Sequence, residues 1–219
     1  MAGARDLENR QTHIRTDSFG RVLTTLASSN GEVVLPASLG PKTAATSLSV
    51  VPASDALFTL APSAYRSAPT VTRPANVTAY SAGDVVGATA AAITFPAIGL
   101  SDGHIMLTSI DLRIDVAAVP AGMLSFRLHL YTVTPPSALA DNAVWALPAG
   151  DRANYAGFVD LGVPVDVGST LFIQTDSVNK HIKLSAGETA LYGYLVTNGA
   201  FTPAGNSEVY VPRLRSVGL

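Results

Sequence analysis

The chain contains no cysteine in 219 residues. Disulfides, thiolate metal sites and cysteine nucleophiles are therefore excluded together. Charge is also scarce: 14% of residues are charged, against 47% apolar. A small monomer normally covers itself with Lys, Arg, Asp and Glu. A chain that does not must cover itself with Ser, Thr, Ala and Gly, or with another protein. The net charge of -2 and a pI near 6.0 supply no basic surface, so nucleic acid is not an expected partner. The opening MAGARDLENRQTHIR lacks the apolar centre of a signal peptide. The uncharged run Val85–Ser101 is broken by Gly87, Pro96 and Gly99 and falls short of a bilayer span. It predicts a buried strand pair, not a membrane helix. The expectation is a protein made in the cytoplasm, neither secreted nor membrane-bound.

What is present divides in two. Charges cluster at the start (Arg5, Asp6, Glu8, Arg10, Arg15, Asp17, Arg21), whereas residues 22–72 carry only Glu32, Lys42, Asp55 and Arg66. Within that span lies 33-VVLPASLGPKTAATSLSVVPASDALFTLAP-62. Proline disfavours helix at its own position and at the residue before it, so Pro36, Pro41, Pro52 and Pro62 leave short extended pieces. Residues 1–73 accordingly read as an extended N-terminal arm. The apolar side chains that would contact a partner are Val33, Val34, Leu35, Leu39, Leu48, Val50, Val51, Leu57, Phe58 and Leu60. Fifty extended residues reach at most roughly 165 Å.

Residues 74–219 read as strands. Met106, Ile110, Leu112, Ile114 and Val116 alternate with Ser109, Asp111, Arg113 and Asp115. Leu124, Phe126, Leu128 and Leu130 alternate with Ser125, Arg127 and His129. Period-two alternation of this length is the strand signature. Further strands are expected at Val77–Tyr80, Ala92–Phe95, Thr170–Ile173, His181–Leu184, Ala190–Val196 and Glu208–Val211, with turn residues between them. Ala138–Val159 is the least regular stretch, an excursion carrying Trp145. No segment has sustained helical periodicity. The expected class is all-β: a jelly-roll-like antiparallel β-sandwich.

Catalytic signals are weak. His13, His104, His129 and His181 show no metal-binding spacing, and His129 is expected on a solvent-facing polar row near Asp111 and Asp115. Asp84 and Asp102 adjoin glycines, as turn residues do. There is no nucleophile elbow, P-loop or dinucleotide fingerprint. No cofactor, metal or catalytic residue is expected. Tyr155, Tyr192, Tyr194, Tyr210 and Trp145 could form a sugar-stacking platform, though core or subunit interface is the commoner use of such residues.

At 69-PTVTRPANVTAYSAGDVVG-87 the chain resembles a TRPAN-x-TAY-x-AGD-x-VG block of tailed-bacteriophage structural proteins. Leu124–Tyr131, Pro135-Pro136-Ser137 with Asp141-Asn142-Ala143, and Asp151–Phe158 resemble the later course of that family. The low-complexity leader Leu39–Val51 is similar to its leaders. The resemblance spans most of residues 30–160. It implies a virion component and no enzyme. The expected role is a head decoration (cement) protein on the capsid surface, a homo-oligomer with a trimer favoured, its arm bridging neighbouring copies of the major capsid protein. The alternative is a tail- or neck-associated, glycan-binding sandwich using Trp145 and Tyr192.

Overall fold

The computed structural model describes residues 63–87 and 91–219, together with the backbone of Arg15–Thr16 and Val22–Leu23. The chain separates into two units, Met1–Phe58 and Thr59–Leu219. In the first, strands β1 (Arg15–Thr16) and β2 (Val22–Leu23) pair antiparallel, with Arg15 opposite Leu23. The ten arm residues expected to touch a partner, Val33 to Leu60, lie outside the described residues.

The second unit is a two-sheet antiparallel sandwich. Its strands are β3 (Ala64–Ser67), β4 (Val71–Thr72), β5 (Val85–Val86), β6 (Ile93–Phe95), β7 (His104–Ile114), β8 (Phe126–Tyr131), β9 (Tyr155–Asp160), β10 (Val165–Asp166), β11 (Leu171–Lys183), β12 (Leu191–Thr197) and β13 (Val209–Gly218). One sheet runs β10-β11-β7-β13-β3, with β4 also on β13. The other runs β5-β12-β8-β9, with β6 also on β12. The pairing is nested. β8 pairs with β9, β7 with β11, β5 and β6 with β12, and β3 and β4 with β13. That nesting is the winding of a jelly roll. Among the described residues the only helical element is the 3-10 turn Ala149–Asn154, and no helix is long and apolar enough to cross a membrane.

The two inner faces supply the core. β8 contributes Phe126, Leu128 and Leu130, and β12 contributes Leu191 and Leu195. In β7 the inward set changes parity. Ile105 and Leu107 are buried, then Ile110, Leu112 and Ile114. The cause is a β-bulge at Thr108. On the β13 side Leu107 faces Ser216 and Ser109 faces Arg215, which leaves Thr108 without a partner. On the β11 side the same two residues face Lys180 and Asp176, so Ser177–Asn179 loop out. An extra residue reverses which side chains face inward. Met106, expected in the core, is therefore only half-buried on the outer face.

Other expectations are corrected similarly. Leu124 is 55% exposed and precedes β8. The two strands expected at 170–173 and 181–184 are one 13-residue strand, β11. Val77–Tyr80 forms no strand, and only Tyr80 makes a bridge, to Phe201. Residues 64–67 and 71–72, assigned to the arm, pair with β13, so sheet structure begins before residue 74. As edge segments they need no apolar alternation, which is why the sequence pattern hides them.

Gly193 marks the tightest approach within the second sheet. A Cβ at this position would sit 2.5 Å from the main-chain oxygen of His129 on β8. Backbone cannot yield as a side-chain tip can, so Gly193→Ala is expected to cost about 1–3 kcal/mol. Gly205, whose added Cβ would meet nothing within 4 Å, tolerates Ala within about 0.5 kcal/mol. Urea unfolding of the two variants checks the contrast.

Candidate functional site

The polar centre of the sandwich is Arg73, placed at the end of β4 by the hydrogen bond from its main-chain N–H to Glu208 O at 3.0 Å. Its side chain is fully buried between two carboxylates, Asp141 Oδ2 and Glu208 Oε2, each 3.7 Å from the guanidinium. At that separation the pairing is Coulombic, since a hydrogen bond is shorter. Both terminal nitrogens of Arg73 lack a hydrogen-bond partner. Its Nε donates to the Tyr80 hydroxyl, and the guanidinium carbon lies 4.8 Å from the centre of the Tyr80 ring. The carboxylates are held in turn. Asp141 Oδ1 accepts from Tyr80 Oη at 2.5 Å and from Gly87 N–H at 3.0 Å. Glu208 accepts from Tyr210 Oη at 3.1 Å and from Gly205 N–H at 2.9 Å. Burial, followed by the adjacent carboxylates, raises both phenol pKa values far above the ordinary tyrosine range, so both remain donors.

Arg73, Tyr80 and Asp141 come from TRPAN, TAY and DNA, three separate pieces of the motif noted in the sequence. Asp84, from AGD, closes its own turn by accepting from Ser81 N–H at 2.6 Å. Nothing in the sequence indicated that these pieces meet, or that Glu208 and Tyr210 join them. Removing one member of a buried pair leaves uncompensated charge, typically costing about 3–5 kcal/mol. Arg73→Met is therefore expected to lower the unfolding free energy by about that amount. Adding Asp141→Asn and Glu208→Gln to it should restore part of the loss, as chemical denaturation would show.

A second, largely aromatic and aliphatic cluster covers the outer face of β12 and β8. There Val85, Tyr131, Tyr194 and Val196 are buried beneath Leu139, Trp145, Leu147, Tyr155 and Tyr192. The irregular excursion after β8 is thus a lid on a sheet face, and its end becomes strand β9. His129, expected in solvent, is 3% exposed. Trp145 stacks on it with ring centres 3.6 Å apart and planes 24° from parallel. His129 Nδ1 is 2.8 Å from Tyr155 Oη. Period-two reading assigns the outward residues of β8 to water, but a covering loop is invisible to it. Burial, with a smaller push from Arg127 and a partial offset from Asp160, brings the His129 pKa down from 6.5 to about 4.

The unfolded chain therefore takes up this proton more readily than the folded one. The stabilisation is complete above about pH 6.5 and is lost as pH falls towards 4. The shift corresponds to at most about 3 kcal/mol. Carboxylates titrate in the same window, so the comparison is differential: His129→Phe is expected to flatten the pH 4–6.5 stability slope relative to the parent chain.

The aromatic platform does not assemble as one exposed surface. Tyr194 is 2% exposed and its hydroxyl is bonded to Ser137 O and Leu139 N–H. Tyr210 lies fully buried with Glu208 in the other sheet. Tyr192 donates to Glu188 at 2.9 Å. Asp111 is also buried, held by Arg213 at 3.3 Å and Arg215 at 3.0 Å, whereas Asp115 pairs with Arg113 at the surface. His104 and His181, remote in sequence, are brought together on β7 and β11, with Nδ1 and Nε2 2.9 Å apart and rings nearly parallel. Among the described residues no three His, Cys, Asp or Glu side chains gather into a metal-binding group.

No protein-family model matches the chain, and no curated protein matches it. Among solved structures it is similar to a chain of the Israeli acute paralysis virus full particle heated to 63 degrees. The identity is 13% over 97% of this chain and 94% of the other, with a TM-score of 0.28. A likeness that low carries no argument about fold or role, and both rest on the residues themselves.

Proposed function

We propose that the chain is a structural protein of a virion: a decoration (cement) protein of the tailed-bacteriophage type, seated on the capsid surface after assembly in the host cytoplasm. The observation that carries this reading is the convergence of Arg73, Tyr80 and Asp141 in one buried cluster. The blocks that resemble phage structural proteins are the blocks that lock this sandwich, so the resemblance lies in residues with a physical role. The chain's composition supports the same reading. A rigid closed module bears load, and an apolar, sparsely charged N-terminal segment is suited to burial against other subunits. In this role the protein is no enzyme. It bridges copies of the major capsid protein and associates with itself, a homotrimer at a local symmetry axis being the favoured form. Jelly rolls also serve as lectins, but Trp145 stacks on His129 and both Trp145 and Tyr192 pack over the buried cluster on β8 and β12, which counts against the glycan-binding alternative.

Electron microscopy of intact particles labelled with antibody to the chain tests this reading. Hundreds of copies over the shell are expected. Six or twelve copies would relocate the protein to a neck or tail, and its absence from particles would remove the virion role altogether.

A further inference from the structure

One side of the sandwich is built to receive another chain. β9 leaves the five-stranded sheet and, through residues 161–164, becomes β10 on the six-stranded sheet. Both sheets therefore end on the same side. Among the described residues β9 pairs only with β8, and β10 only with β11. Unpaired edges are sites for strand addition, and proteins usually guard them with charge. Here charge is present, with Arg127 over the Phe158 ring and Lys180 beside Gly157, but apolar side chains crowd the same edge. Phe158 is 44% exposed, Val163 and Val165 are each 61%, and Val167 is 62%. Four of the ten large apolar side chains exposed in the described residues thus fall in one ten-residue stretch. The two nearby carboxylates are occupied: Asp160 binds Arg127 at 2.8 Å and Asp166 accepts from Gly168 N–H at 2.8 Å. Beside this edge a groove of about 350 Å³ opens between Phe158 and Val159 and the Ser177–Asn179 bulge, with Asp176 and Lys180 also in its lining. Ser177 and Asn179 hold φ values of 56° and 47°, a backbone conformation uncommon outside glycine.

The opposite edge of the six-stranded sheet is β3, where the chain joins the sandwich: Gly218 N–H donates to Ser63 O at 2.9 Å. Four strand spacings separate β3 from β10, roughly 19 Å. A donor at one edge and an acceptor at the other make a head-to-tail contact, which closes into rings when the rotation allows. The segment preceding β3 also fits the acceptor. Between 33 and 60 it carries only Lys42 and Asp55, and Pro36, Pro41 and Pro52 divide it into stretches of three, four, ten and eight residues, lengths that suit edge strands.

We infer that the side formed by β9 and β10 is the docking site for residues 33–60 of a second copy of this chain, laid as an added strand against Phe158, Val163, Val165 and Val167. This deepens the self-association in the proposed role and rests on that part of it alone. The absence of cysteine makes the test clean, because introduced thiols are unique. Full-length chains carrying Val34→Cys, Val50→Cys or Phe58→Cys are each mixed with full-length chains carrying Val165→Cys and treated with a short bismaleimide. Leu100→Cys, at a position 69% exposed, replaces Val165→Cys as the control acceptor. Covalent dimers with Val165→Cys from at least one arm position, and none with Leu100→Cys, are expected. Dimers absent from all three arm positions, or equally abundant with the control, overturn the inference. So does a chain bearing both Val50→Cys and Val165→Cys that links only within itself in excess cysteine-free chain. Cross-linking by a chain missing from particles would leave this inference standing and remove the virion role. A chain abundant on particles that fails to cross-link would do the reverse.

Discussion

A guanidinium with no exposed surface is the constraint around which this sandwich is organised. Taking a charge out of water costs several kcal/mol after relaxation, and carboxylates in good geometry must offset it. For Arg73 those carboxylates come from the loop after β8 and from the start of β13, with Tyr80 supplied by the chain between β4 and β5. None is near another in sequence, apart from Arg73 and Tyr80. The charge is satisfied only when the first strands, the excursion and the last strand are in place at once.

The same logic explains what could be read in advance. Alternation in Leu124–Tyr131 and Met106–Val116 announced two sandwich strands, and turn residues announced most of the others. Alternation reports which residues share a face and says nothing of what lies over that face. His129 and Asp111 were therefore assigned to water, yet one lies under Trp145 and the other under two arginines. Nor does alternation report an inserted residue. The bulge at Thr108 moves Leu107 inward and Met106 outward, and no residue type in the stretch marks it. Edge strands were the remaining gap. Ala64–Ser67 has no apolar pattern because it buries little beyond Ser67, and Tyr155–Asp160 was hidden in a glycine-containing loop sequence.

Function follows the same division between what is closed and what is open. Arg73, Tyr80, Asp141, Glu208 and Tyr210 are turned towards one another in the interior, and Trp145, Tyr155 and Tyr192 are committed to covering a sheet. Among the described residues, what stays uncommitted is backbone at two edges and a row of valines; earlier in the sequence, residues 22–60 carry only Glu32, Lys42 and Asp55 as charges. In the proposed role such a protein acts by holding and being held, with specificity set by edge length, groove shape and the spacing of apolar side chains.

The nesting of the strands also has a temporal consequence. β13 lies between β7 and β3, and it carries Glu208 just ahead of it. Until Glu208 and β13 have been made, β3 and β4 have no strand to pair with and Arg73 lacks one of its carboxylates. Pairings this distant in sequence make folding slow relative to helical proteins of equal size. The waiting period leaves β3, β4 and one edge of β7 unpaired. Glu208 with β13 thus acts as a clock: a chain that stops short of them has neither the lock around Arg73 nor a strand to pair with β3 and β4.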